Sequence, residues 1–350
     1  MNGITSCVKR DAKIGFPTFL LFKLMKITKT YIFLIILLIL ISSCLLGCQK
    51  EKQNIVFYYD TVEKDNEFLL NTRDEFLKKY PNLNIEMKML PFYTLKPTVM
   101  QKGAESFDIL LGPSDWSGEL IQKGLIQKVS KTDTGILRYY EFPVFYFYKE
   151  HFKGKKIPEN IEQIFDLLGK GFMYDIKNMY YHLYIASFFE SKVLEKDSFN
   201  MLEDEFINSV EFIRDRSQGN IPESLNYDAV LNMFASGKLS IILDGVWNYK
   251  RHIKNGASIL PVFPKNIYSG KKMFFISKKA KHKEISREFI DFILSKEKQD
   301  NITNILPEDC NLLPIPQFAD MKKFWSLGNN LLYNVIYRDK EPKGFIKKYR

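Results

Sequence analysis

Few residues of this chain are placed to do chemistry, and Cys48 is the first of them. It ends the run Leu45-Leu46-Gly47-Cys48, behind an apolar stretch from Tyr31 to Ile41 that follows Lys26 and Lys29. A basic region, an apolar region and a small residue before a cysteine is the order of a leader whose cysteine thiol receives lipid. On this reading residues 1–47 are a signal peptide, Cys48 is the lipidated first mature residue, and 48–53 is a tether. Each buried methylene contributes about 0.8 kcal/mol, and two lipid signals already anchor stably. The competing reading is a membrane-spanning helix. The apolar run falls short of the roughly 20 residues a span needs and is broken by Ser42, Ser43 and Cys44. A shifted site at Cys44 fits less well, because Leu and Gly suit the flanking positions better than Ile and Ser. Met25-Lys26-Ile27-Thr28-Lys29-Thr30 reads as the natural start, which makes the first 24 residues an extension.

Catalytic chemistry finds no purchase. There is no Gly-x-Ser-x-Gly, no His-Glu-x-x-His and no P-loop. The four histidines (His151, His182, His252, His282) are scattered, which argues for surface or core positions and against a metal site. Once Cys7, Cys44 and Cys48 are assigned to the leader and its end, only Cys310 remains. The mature chain then has no intrachain disulfide and no cysteine-based zinc site. A glycosidase needs two carboxylates across a cleft, which sequence cannot position. The reading is therefore no catalytic residues, no metal and no cofactor. The 29 Phe and 19 Tyr are mostly core, although a cleft for flat-faced ligands uses the same rings.

The formal charge is +10, and the first 47 residues carry six basic groups and one acid, half of that total. The remaining basic residues are scattered rather than striped, so nucleic acid is not an expected partner. About 300 mature residues suffice for one large or two medium domains. Ile55-Val56-Phe57-Tyr58-Tyr59 reads as a buried strand. Leu69, Phe76, Leu77 and Tyr80 recur at helical spacing until Pro81, and Leu83, Ile85, Met87 and Met89 alternate as a strand. Ile109-Leu110-Leu111 is another buried strand, followed by a helix from Ser117 to Gly124. That alternation predicts a parallel sheet covered by helices. Ile161 to Arg216 reads as largely helical. Leu239 to Leu243 is a strand ending in the turn Asp244-Gly245, Met273 to Ile276 is another strand, and Ile285, Phe289, Phe292 and Ile293 mark a helix face.

Several segments in order resemble the maltose-type extracellular solute-binding proteins of ABC importers. Phe76-Leu77-Lys78-Lys79-Tyr80-Pro81 before the alternating strand resembles the family's first helix and second strand. Phe107-Asp108-Ile109, then Gly118 and Gly124-Leu125-Ile126, resembles its third strand and following helix. Phe142-Pro143 with Tyr148-Lys149 is similar to its lobe-crossing segment. Phe234-Ala235-Ser236-Gly237-Lys238 through Asp244-Gly245-Val246-Trp247 resembles its most specific motif, and Ile276-Ser277-Lys278-Lys279-Ala280 with Glu288-Phe289-Ile290 its late strand and helix. The resemblance covers nearly all of the mature chain. It implies an α/β, two-lobe periplasmic-binding-protein-like fold with a hinge and an interlobe cleft. Residues 54–143 plus about 260–310 would form one lobe, and 144–259 plus about 311–350 the other.

The resemblance also implies site residues. Trp247 would be a stacking platform at a strand end, where ligand clefts form in α/β sheets; Gly245 keeps the preceding turn open. Trp325 would be a second aromatic wall and Tyr180 a third. Asp115 matches an acid that bonds sugar hydroxyls, Asp60 follows the first strand as another polar contact, and Asn178 stands where the family carries an acid. For Trp247, Trp325 and Tyr180 the alternative is core packing, and for Asp60 a solvated loop. Trp116 replaces an Arg common in oligosaccharide binders. The crossing segment from Pro143 to Tyr148 is shorter than in the family and lacks its acidic ligand contact, and the stretch from Pro314 to Phe324 is abbreviated. The implied function is a lipid-anchored, monomeric receptor on the extracytoplasmic face of the cell membrane. It would capture a sugar or related solute, deliver it to ABC permease subunits and catalyse nothing. A polyamine, sugar phosphate or metal complex is the alternative solute, and a surface lipoprotein that has lost transport is the alternative role.

Overall fold

The computed structural model describes residues 31, 53–61, 63–130, 133–217, 219, 221–297 and 305–349. The expected signal peptide, the lipidated Cys48 and the tether up to residue 52 lie outside these. Among the described residues no helix is long and apolar enough to cross a membrane.

The elements run in the order β1 (Gln53–Tyr59), α1 (Glu63–Lys79), β2 (Leu83–Met89), α2 (Phe92–Lys102), β3 (Ile109–Pro113), α3 (Ser117–Gln122), β4 (Ile136–Glu141) and β5 (Pro143–Phe147). Next come α4 (Ile161–Phe165), β6 (Phe172–Met173), α5 (Met179–Ser187), α6 (Asp204–Ser217), α7 (Tyr227–Ala235), β7 (Ile241–Gly245) and α8 (Tyr249–Lys254). The chain closes with β8 (Ser258–Ile259), β9 (Asn266–Ile276), α9 (Lys283–Lys296), β10 (Asn311–Pro314), α10 (Met321–Arg338) and α11 (Pro342–Tyr349). One sheet has the order β10-β9-β3-β1-β2 with β4 also on β9, and the other has the order β6-β7-β5-β8.

The period of two along the strands sorts side chains onto the two faces of the first sheet. Ile55, Phe57 and Tyr59, with Ile109, Leu111, Phe274 and Ile276, pack against Leu69 and Phe76 of α1 and Phe289, Ile290 and Ile293 of α9. Tyr58, Leu110, Met273 and Phe275 face the other way, onto Leu95, Val99 and Leu120. The expected parallel pairing holds for β1 with β2 and β3. β9 departs from it, running antiparallel to β3 and β4. It is also longer than its sequence signal. Its far end, Ile267 and Tyr268, packs in the cores around the second sheet and α10. There it pairs in parallel with β10.

The largely helical reading of Ile161 to Arg216 needs correction. The short helix α4 is followed by strand β6, then α5, then an irregular stretch before α6. The segment is apolar because it is buried, and burial on all sides hides the period that separates helix from strand. In α5 every residue except Tyr180 is buried. β5 gave no expected strand for the same reason: all five of its residues are buried.

Arg138, on β4, ties the first sheet to its helices. Its guanidinium donates to both oxygens of Asp65 on α1, and its Nε donates to Glu297 beyond α9 at 3.1 Å. Its side chain is fully buried. The two facing carboxylates hold its pKa above the usual range against the opposing effect of burial.

Candidate functional site

Three of the residues singled out from sequence meet between the two sheets. Trp247 lies in the short turn Val246–Asn248 that follows β7. Tyr180 opens α5, and Trp325 stands in the first turns of α10. The ring centre of Tyr180 is 5.9 Å from that of Trp247 and 6.3 Å from that of Trp325. The three rings form an arc with Tyr180 in the middle. All three are only partly buried.

Both ends of the arc are tethered to carboxylates. At one end the indole Nε1 of Trp325 donates to Asp115 Oδ2 at 2.9 Å, joining residues 210 apart in sequence. Asp115 sits in the turn Ser114–Trp116 beyond β3 of the first sheet. α10 packs instead with α5, α6 and α11. At the other end Trp247 Nε1 donates to the Tyr227 hydroxyl at 3.2 Å, and that hydroxyl donates to Asp244 Oδ1 at 2.9 Å. Asp244 is fully buried. It also accepts from Tyr181 Oη at 3.1 Å, the Gly245 amide at 2.8 Å, Asn248 Nδ2 at 2.9 Å and His252 Nε2 at 2.7 Å. β7 runs one residue beyond Asp244, so the turn expected at Asp244-Gly245 is instead the strand's end.

Gly245 matters for a steric reason. A Cβ at this position would overlap the six-membered ring of Trp247, which folds back onto the glycine. In Gly245→Ala the indole is expected to swing away and lose its bond to Tyr227, with a stability cost of about 1–3 kcal/mol from overpacking. Indole fluorescence checks this directly. An emission maximum identical to wild type means that the ring is not displaced.

Polar groups gather at the ends of β1, β3 and β4 and on β9. Lys272 Nζ is 3.4 Å from Asp60 Oδ2, and Lys272 is buried. Glu141 pairs in register with Gly270. Burial raises the pKa of the Glu141 carboxyl, with Lys272 opposing and the like charges of Asp115 and Asp60 reinforcing. Asp115 is also raised by burial, against its bond from Trp325 and the charges of Lys96 and Lys272. The Tyr180 hydroxyl is enclosed, with the Gly270 amide beside it and no side-chain hydrogen-bond partner. Burial and the nearby Glu141 and Asp115 hold it protonated.

Other expected site residues lie elsewhere. Trp116 is 6% exposed and packs over Gly112 and against Phe92, ring centres 5.5 Å apart, in a wall of the core. Asn178 is the N-cap of α5: its Oδ1 accepts from the Tyr180 amide at 3.0 Å, while its Nδ2 is 3.4 Å from Asp175. That is a helix-starting role for the side chain. Sequence reading passed over Glu141, Lys272, Tyr227 and Asp244 as cleft-facing or supporting groups. It found no acid near the lobe crossing, yet Glu141 stands two residues before Pro143. Asp244 was visible only as a turn residue. A depression of about 550 Å3 lined by residues such as Glu119, Lys123, Lys322 and Tyr349 holds none of these groups.

The family model for the bacterial extracellular solute-binding protein matches residues 61–300. The chain belongs to that family. Members have the two-lobe architecture seen here. The maltotriose-binding protein of Thermus thermophilus, solved with maltotriose, superposes with a TM-score of 0.69 at 19% identity, covering 84% of this chain and 97% of the other. The maltose/maltodextrin-binding domain MalE of Bdellovibrio bacteriovorus, bound to maltotriose, gives 0.70 at 13% identity over 85% and 97%. Among curated proteins, the maltooligosaccharide ABC transporter solute-binding lipoprotein of Streptococcus pneumoniae serotype 4 is 22% identical over 147 residues, 33% of this chain. The match spans about a third of that relative's length, 35%. In this solute-binding family member, the aromatic arc and its carboxylates lie beyond the C-terminal ends of β1, β3 and β7, where open α/β sheets hold ligands.

Proposed function

We propose that this solute-binding protein captures a saccharide in the cleft between its two sheets and delivers it to an ABC permease, catalysing nothing itself. The arc Trp247–Tyr180–Trp325, anchored at one end to the half-buried Asp115 and at the other, through Tyr227, to the buried Asp244, is the observation that carries this reading. Ring faces stack on the C–H faces of sugars, and carboxylates accept from hydroxyls. In the names of the relatives above, the ligand is a maltooligosaccharide or maltotriose. Asp60, Asp115 and Glu141 are the polar contacts, and Trp247, Tyr180 and Trp325 the platforms. Residues 54–143 with about 260–310 form one lobe and 144–259 with about 311–350 the other; Phe142 and β9 pass between them. A ligand that touches both lobes shifts the equilibrium toward closure, by as much as its affinity differs between open and closed forms. Cys48 carries the lipid that holds the receptor, as a monomer, on the extracytoplasmic face of the membrane.

The test is a melting-temperature screen of the chain from residue 49, which contains the compact unit Gln53–Arg350. Maltotriose at 100 times its dissociation constant is expected to stabilise by about 2.7 kcal/mol. Trp247→Ala is expected to abolish that shift while melting as a folded protein. A Trp247→Ala variant that binds like wild type removes the platform role, and silence across neutral sugars, polyols and amino sugars overturns the saccharide reading.

A further inference from the structure

We propose that the saccharide taken by this cleft bears a protonated amine, which sits between Asp115 and Glu141 with its ring against Tyr180 and Trp325. This rests on the receptor reading above and deepens it.

The cleft has more acids than cations to balance them. Asp60, Asp115 and Glu141 share it with one buried lysine, Lys272, which leans toward Asp60 at 3.4 Å. Lys96, also close enough to act on Asp115, is held by Glu119 at 2.6 Å. Asp115 accepts from the neutral Trp325 indole, and among the described residues the Glu141 carboxylate has no hydrogen-bond or ion-pair partner. This is not a reflection of composition, because the chain as a whole is +10. An acidic cleft in a basic chain is a local arrangement.

The geometry around Glu141 leaves room for a guest. A Cβ built on Gly270 would stand 3.7 Å from the Tyr180 hydroxyl and 3.7 Å from the Glu141 Cβ. These are ordinary contact distances, so glycine leaves a space of about one methyl group, the size of an ammonium, beside an enclosed hydroxyl that has no side-chain partner. An ammonium donates three hydrogen bonds, one each for two carboxylates and a phenol oxygen. A neutral sugar hydroxyl donates only once and leaves the like charges of Asp115 and Glu141 facing each other. Burial raises the pKa of both carboxyls, and a cation between them offsets that cost.

Titration calorimetry at pH 6 on the full chain separates the cases with three probes: a β-1,4-linked glucosamine disaccharide, its N,N′-diacetyl form, and maltotriose. The free-amine disaccharide is expected to bind about tenfold or more tighter than the diacetyl form, which has the same rings without the charge. In Glu141→Gln that ratio is expected to fall to about two- or threefold, with an unchanged melting temperature because Glu141 has no partner to lose. Diacetyl disaccharide or maltotriose binding as tightly as the amine overturns this inference and leaves the saccharide receptor standing. No heat from any of the three overturns the receptor reading with it. Spermidine binding while the glucosamine disaccharide is silent overturns the saccharide half.

Discussion

Asp244→Ala is expected to lower unfolding stability by about 3–5 kcal/mol, the range seen when one partner of a buried charge network is removed. The carboxylate is completely buried and accepts five hydrogen bonds, from Tyr181, Tyr227, Gly245, Asn248 and His252. Alanine removes the acceptor from all five donors, of which Asn248 Nδ2 keeps the Tyr227 hydroxyl at 2.8 Å, and each donor left inside the protein without an acceptor costs free energy. For a domain of 150–250 residues each kcal/mol moves the melting temperature by about 2–4 °C, so a fall of more than about 6 °C is the expected reading. Tyr227→Phe isolates the functional branch. It keeps the ring that stacks near Tyr181, centres 6.3 Å apart, and removes the oxygen that accepts from Trp247 Nε1 and Asn248 Nδ2 and donates to Asp244, while Asn248 keeps its bond to Asp244 and Asp244 keeps four donors. That variant should melt within a few degrees of wild type yet bind the solute more weakly, because Trp247 is no longer held in place. If Asp244→Ala melts within about 2 °C of wild type, the network is not stabilising and its role in positioning Trp247 falls too.

The second large effect is on pH. His182 is completely buried in α5, beside Phe206, with its Nε2 3.1 Å from Ser209 Oγ. Ser209 donates its own proton to the Phe206 carbonyl, so Nε2 must carry the hydrogen. Nδ1 is then a bare lone pair with no partner. Charging this ring would place a cation in apolar surroundings, and burial lowers its pKa to about 3 from 6.5. The unfolded chain therefore takes up a proton that the folded chain refuses. Stability from this group is intact above about pH 6.5 and is lost as pH falls from there toward 3. The linkage relation gives about 2 kcal/mol lost by pH 5 and about 3 kcal/mol by pH 4. Urea unfolding at pH 8 and pH 5 measures it. In His182→Gln, which cannot be charged, the difference between the two pH values should shrink by about 2 kcal/mol. Equal pH dependence in the two proteins rules the effect out. Asp115 and Glu141, raised by burial, act in the opposite direction, but they are common to both proteins and cancel in the comparison.

Some of this molecule was legible in its sequence. The alternation of Leu83, Ile85, Met87 and Met89 placed β2, with Leu83 and Ile85 buried as alternation requires. The apolar spacing of Ile285, Phe289, Phe292 and Ile293 placed α9, and the order of segments from Phe76 to Trp247 carried the family. The three rings of the arc were all named from sequence. These features are local or follow a short period, so the chain displays them without being folded.

The rest depended on tertiary structure. Trp116 and Trp325 have equal standing as sequence, but one lines a core and the other meets Asp115 across 210 positions. Glu141 and Arg138 lie three apart on β4. Arg138 falls at the register shift between Leu137 and Tyr139, where β4 bulges against β9, and reaches Asp65 and Glu297, while Glu141 stands in register at the cleft; no property of either residue announces that bulge. Lys272 lies within an eleven-residue strand whose apolar signal covers only its last third. Asp244 resembled a turn because Asp-Gly is turn chemistry, yet burial and five donors made it the hub behind Trp247. A sequence shows what each residue can offer; partners distant in the chain determine whether that offer faces the core, the cleft or the water.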